Sequence, residues 1–89
     1  QSKRLLQSGM ITTVIDVRTQ AEYETSHYPN SINIPVHKIN EDSTKDLNKE
    51  SYILIYCNTG QRARYAVNKM RKMGFKNVFY IDSTFESLL

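Results

Sequence analysis

The chain holds one cysteine, Cys57, in a setting suited to nucleophilic chemistry. It stands in Tyr52-Ile53-Leu54-Ile55-Tyr56-Cys57-Asn58-Thr59-Gly60-Gln61-Arg62-Ala63-Arg64. Apolar and aromatic residues lead in, a short polar loop follows, and then a helical pattern begins. This spacing predicts a buried strand ending at the thiol and a helix starting just after it. A sulfur at that junction lies among backbone N–H groups without helical partners, at the positive end of the helix dipole. Such surroundings favour thiolate over thiol, and the thiolate is the reactive form. They also cradle an anion. Gly60 lets the loop curl tightly. Arg62 and Arg64 carry positive charge where a helix start mildly disfavours it, so local helix stability does not explain them. A lone cysteine is commonly a small core hydrophobe; the loop around this one argues for a reactive group.

The elements that position the thiol follow from periodicity. Residues 3–8 read as a short helix ended by Gly9. Residues 11–17 are rich in β-branched side chains and read as a buried strand, with Asp16 and Arg18 at its C-terminal end. Thr19 and Glu22 have the spacing of a capping box, which opens a helix over 20–26. Pro29-Asn30 marks a turn, and 31–34 alternates as a short strand closed by Pro35. Residues 36–48 read as a loop with one helical turn. Residues 51–56 are apolar nearly throughout, as in a sheet covered on both faces. Over 61–73, Ala63, Ala66, Val67, Met70 and Met73 fall on one face of a helix that Gly74 ends. A last strand over 78–81 and a final helix capped by Ser83 or Thr84 complete the chain. Strand–helix alternation predicts an α/β fold with a parallel sheet, whose ligands bind beyond the carboxyl ends of the strands. Arg18 and Cys57 both fall at those ends.

Eighty-nine residues make one domain, 1–89. The hydrophobic content is 39% and the charged content 24%, as in ordinary globular chains. A net charge of +3 with scattered lysines and arginines lacks the dense basic face of a nucleic-acid binder. One cysteine and two separated histidines give no metal-ligand cluster, so no metal cofactor is expected. No apolar run reaches the ~18–20 residues of a membrane span. The chain begins at Gln1 rather than a methionine, as a trimmed product would. A cytoplasmic location is expected, with the periplasm as the alternative if a signal segment has been removed.

The stretch Cys57-Asn58-Thr59-Gly60-Gln61-Arg62 resembles the active-site loop of the rhodanese family of sulfurtransferases, commonly Cys-x-x-Gly-x-Arg. Upstream, Asp16-Val17-Arg18 resembles the family's Asp-x-Arg segment. Glu22-Tyr23 and the run from His27 to Pro35 resemble its Glu-Tyr…His-Ile-Pro-Gly-Ala-Ile-Asn-Ile-Pro segment. Gly74-Phe75 and Val78 resemble its Gly-Phe…Val stretch. The resemblance implies a rhodanese-like fold: a parallel sheet of four to five strands with helices on both faces. It further implies a thiosulfate sulfurtransferase that carries sulfane sulfur as a Cys57 persulfide to a thiophilic acceptor such as cyanide or a thiol. Asn58, Thr59, Gly60, Gln61 and Arg62 would bind the anionic donor and the persulfide, with Arg18 near the approach and Asp16 organising the site. Arg18 also lies four residues before Glu22, within reach of a helix-entry ion pair. The expected partners are a small anionic sulfur donor and a thiophilic acceptor, which includes a protein thiol. Asn30 stands where the family has glycine, at a position needing a left-handed backbone. Asp82-Ser83 replaces a common Gly-Gly pair and is expected to reshape one pocket wall.

Two other readings fit parts of the pattern. A sulfur-carrier or regulatory module would keep the loop without efficient turnover. Cysteine phosphatases and arsenate reductases use a related loop, but with arginine six positions after the cysteine; here that position is Ala63.

Overall fold

The computed structural model describes residues 2–89. Its elements in chain order are α1 (Ser2–Gln7), β1 (Thr13–Asp16), α2 (Gln20–Thr25), β2 (Ile32–Asn33), a 3-10 turn (Val36–Lys38), β3 (Tyr52–Tyr56), α3 (Gln61–Lys72), β4 (Asn77–Tyr80) and a 3-10 helix (Phe85–Leu88). The strands form one sheet in the order β2-β1-β3-β4, and every neighbouring pair is parallel. From β1 the chain crosses outward to β2, and from β3 it crosses outward the other way to β4. The crossover direction therefore reverses between β1 and β3. A crevice opens at such a reversal, beyond the carboxyl ends of the two strands. Asp16 and Tyr56 are the last residues of those strands and pair directly in the register.

Side-chain alternation along the strands sorts the core into two layers. Ile15, Val17, Ile53, Ile55 and Cys57 share one layer with Ala63, Ala66, Val67 and Met70 of α3 and with Phe75. Val14, Leu54 and Tyr56 share the other with Ile11, Phe85 and Leu88, against which Leu6 of α1 packs. Helices thus cover both faces. The three central residues Ile53, Leu54 and Ile55 are wholly buried, which explains why β3 reads as a continuous apolar run.

Several boundaries differ from the sequence reading. The first strand pairs only over Thr13–Asp16, although Ile11 is buried beside it. The second is cut to Ile32–Asn33 at the sheet edge, since Pro35 lacks an N–H for the ladder. The expected final helix is a single 3-10 segment. Thr84 occupies its cap position without a side-chain capping bond, and Ser83 instead donates to Ser87 Oγ. Other expectations hold closely. Thr19 and Glu22 form the capping box of α2. Asn30 has φ 67°, the left-handed conformation that its turn requires. Gly74, at φ 103°, ends α3, and the Phe75 amide reaches back 3.0 Å to the Met70 carbonyl oxygen.

Candidate active site

Cys57 follows β3 directly, and its residue is 1% exposed. Two amides converge on its sulfur: Gly60 N lies 3.1 Å from Sγ and Ala63 N lies 3.3 Å away. The reason is the construction of the helix start. Gly60 is the residue before α3 and has no side chain with which to cap it. Ala63 is the third helical residue, whose N–H has no carbonyl partner within the helix. The thiol takes the capping place that a serine or aspartate oxygen fills elsewhere. The sequence reading assigned sulfur contacts to the amides of Asn58 to Arg62; of these Gly60 makes one, and Ala63, just past that span, makes the other.

Gly60 has φ 90° and is buried. A Cβ there would lie 3.0 Å from Asp82 Cα and 3.1 Å from Asp82 Oδ1. The curl of the loop and the approach of the segment after β4 therefore both require glycine.

The charged groups fall into two sets. On one side of the loop, Arg62 Nη1 donates to Glu22 Oε1 at 2.9 Å, and Nη2 donates to Oε2 at 3.3 Å. Asn58 Nδ2 also donates to Glu22 Oε2, at 3.0 Å. Glu22 thus ties both flanks of the thiol loop to the first turn of α2. The Arg62 guanidinium, with Thr19 at the cap, holds the Glu22 carboxyl down at about 2. Glu22 in turn raises the Arg62 guanidinium above its ordinary value, against a smaller opposing effect of burial.

The second set lies in the other core layer. Arg18 is buried and pairs with Asp16, its Nη2 2.7 Å from Asp16 Oδ2 and its Nε 3.0 Å from both carboxylate oxygens. The Arg18 backbone amide also donates to Asp16 Oδ1, and Nη2 donates to the Ser26 carbonyl. Tyr56 Oη donates to Asp16 Oδ2 at 2.7 Å and accepts from the Tyr28 amide. Burial is the main cause that pushes the Tyr56 phenol up. The Arg18 guanidinium sits 5.7 Å from the Tyr56 ring centre and 5.5 Å from that of Phe85. These contacts correct one expectation. Arg18 pairs with Asp16 and not with Glu22, because alternation along β1 turns Asp16 into the layer that holds Tyr56, whereas Glu22 faces the loop.

The structure brings Cys57, Asn58, Gly60 and Arg62 into one assembly. Thr59 and Gln61 line a cavity that adjoins it at Gly60. Asp16 and Arg18 brace the β1 end beneath it through Tyr56. The sequence reading missed two site contacts: the Ala63 amide on the sulfur, and the link from Glu22 to Asn58 and Arg62, since it gave Glu22 only a helix cap and a pair with Arg18. The dual role of Glu22 has a sequence signal only in the Glu22-Tyr23 pair shared with the family. No cluster of three or more metal-ligating side chains occurs among the described residues.

Fold and loop together define a class, and the comparisons agree with it. The profile of the rhodanese-like domain matches residues 1–88, and the chain belongs to that family. The candidate sulfur carrier protein YrkF of Bacillus subtilis is 34% identical over 79 residues, covering 89% of this chain and 42% of that protein. The adenylyltransferase and sulfurtransferase uba4 of Ogataea parapolymorpha is 36% identical over 64 residues, covering 72% of this chain and 16% of that protein. Among solved structures, the BH2092 protein of Bacillus halodurans superposes with a TM-score of 0.82 at 34% identity, covering 98% of this chain and 65% of that one. The chain spans less than half the length of these two curated relatives. It is a rhodanese-like domain related to sulfur-carrier and sulfurtransferase proteins. Among the described residues no helix is long and apolar enough to cross a membrane.

Proposed function

We propose that this domain transfers sulfane sulfur through a Cys57 persulfide, with thiosulfate or a similar anion as donor. The observation that supports this most directly is the pair of amides, from Gly60 and Ala63, aimed at a lone sulfur at the start of α3. In the first half-reaction the Cys57 thiolate attacks the outer sulfur of thiosulfate. The S–S bond of the donor breaks, its electron pair leaves with sulfite, and Cys57 keeps the sulfane sulfur. In the second, a thiophilic acceptor attacks that outer sulfur and the Cys57 thiolate is released. Such a two-step covalent cycle gives ping-pong kinetics. Amides fixed by the loop before the reaction stabilise the anionic sulfur with little reorganisation. Asn58, Thr59, Gly60, Gln61 and Arg62 form the binding loop, with Asp16 and Arg18 bracing it from β1. Because Glu22 already compensates Arg62, that arginine fixes the shape of the loop more than it adds net charge for a donor.

The near-complete burial of Cys57 favours a second reading, a sulfur carrier that hands its persulfide to a partner without fast turnover on small molecules. Intact mass after thiosulfate treatment tests the shared chemistry. One added sulfur that cyanide removes is the expected result, and Cys57→Ser should take up none. A sulfur adduct retained in Cys57→Ser would remove the mechanism. Steady-state turnover with cyanide then separates enzyme from carrier: normal persulfide formation with negligible turnover favours the carrier.

A further inference from the structure

Beside the thiol loop lies a cavity of about 200 Å³ lined by Thr59, Gly60, Gln61, Arg64, Tyr80 and Asp82. It holds two opposite charges that do not meet. Arg64 and Asp82 are both exposed, and neither makes an ion pair or a side-chain hydrogen bond among the described residues. Asp82 also abuts the loop, with its Cα and Oδ1 against the place a Gly60 Cβ would occupy. The Gly60 amide is one of the two on the Cys57 sulfur. The cavity is therefore continuous with the backbone that holds the reacting atom.

Charge and size restrict what this space receives. A dianion gains from Arg64 and loses to Asp82, while Arg62, the other cation near the loop, is already paired with Glu22. A molecule carrying both signs satisfies both walls, and charge complementarity of this kind sets specificity. At ~30 Å³ per water in the liquid, the cavity holds about seven water-sized groups, the scale of a single amino acid.

We propose, resting on the Cys57 persulfide reading above, that the sulfur acceptor is a small zwitterionic thiol of the cysteine type. Its carboxylate pairs with Arg64 and its ammonium with Asp82. The thiolate of the acceptor attacks the outer sulfur of the Cys57 persulfide. The bond between that sulfur and Cys57 Sγ breaks, its electron pair returns to Cys57 as thiolate, and the acceptor leaves as a persulfide. No oxidant or reductant is consumed.

The experiment loads the protein with thiosulfate and follows discharge by intact mass. The acceptors are cysteine, cysteamine (ammonium only), 3-mercaptopropionate (carboxylate only) and cyanide, whose rate in each variant is the reference for that variant. Taking each variant against wild type for the same thiol cancels differences in thiol acidity. An exposed charge contact is worth about 1.5- to fivefold in rate. Asp82→Asn should slow cysteine and cysteamine about 1.5- to fivefold relative to 3-mercaptopropionate. Arg64→Gln should slow cysteine and 3-mercaptopropionate relative to cysteamine. Discharge to cyanide with all three thiols changed equally in both variants overturns the zwitterion proposal and leaves the persulfide reading standing. Absence of any sulfur adduct removes the persulfide reading instead. The pocket is then tested without chemistry, by titrating S-methylcysteine into the unloaded protein and following the Thr59 and Gly60 amides by NMR. Saturable shifts lost in Asp82→Asn support the pocket assignment; no saturable shift in wild type overturns it.

Discussion

Replacing Glu22 by Gln isolates the charge that clamps the thiol loop. Glutamine at the third helical position still serves a capping box, so α2 keeps its start. What is lost is the ion pair with Arg62, at 2.9 Å. In the folded protein the Glu22 carboxyl titrates at about 2, against an ordinary value of 4.5. At about 1.4 kcal/mol per pH unit of difference, a secluded carboxylate would gain about 3 kcal/mol. Glu22 and Arg62 are 32% and 35% exposed, so solvent screening cuts this to about 1–2 kcal/mol. The sign follows from proton counting. Between 4.5 and about 2 the unfolded chain binds the proton that the folded chain excludes, so stability rises with pH there. The contribution is complete above about pH 5 and fades as the pH falls toward 2. Urea unfolding of wild type and Glu22→Gln, compared at a series of pH values, reads the difference directly, since other carboxylates cancel. The variant should be weaker by about 1–2 kcal/mol at pH 7, a melting temperature lower by about 5–15 °C. The gap should narrow steadily below pH 4.5. A gap as large at pH 2.5 as at pH 7, or none at pH 7 in low salt, would refute the argument. Arg62→Gln should reproduce the loss, and the double variant should lose less than the two single losses combined.

Other outcomes follow from the same contacts. Tyr56→Phe removes the phenol that donates to buried Asp16 and should cost about 1–3 kcal/mol; a loss under about 0.5 kcal/mol in urea unfolding would mean that Asp16 needs only Arg18. Gly60→Ala forces a side chain into a left-handed backbone and against Asp82, and should cost at least about 2 kcal/mol while slowing persulfide formation. If Gly60→Ala melts like wild type and takes up sulfur at the same rate, the tight loop is not what activates Cys57.

The sequence was sufficient where local chemistry dominates. The apolar run 52–56 had to be a covered strand, the capping box had to open α2, and Gly74 had to close α3, because each depends on neighbours a few residues away. A thiol between strand and helix could be read as a sulfur among free amides for the same reason. The parallel α/β sheet followed from the order of elements. The tertiary structure alone decided which partners the charges chose. Arg18 went to Asp16 and Arg62 to Glu22, 40 residues away, because alternation along β1 and the packing of α2 beside the loop set those distances. It also decided that Ala63, by its place as the third residue of α3, reaches the Cys57 sulfur, and that Asp82 arrives beside Gly60. Spacing along a chain fixes which groups are near a bend; only folding fixes what lies across it.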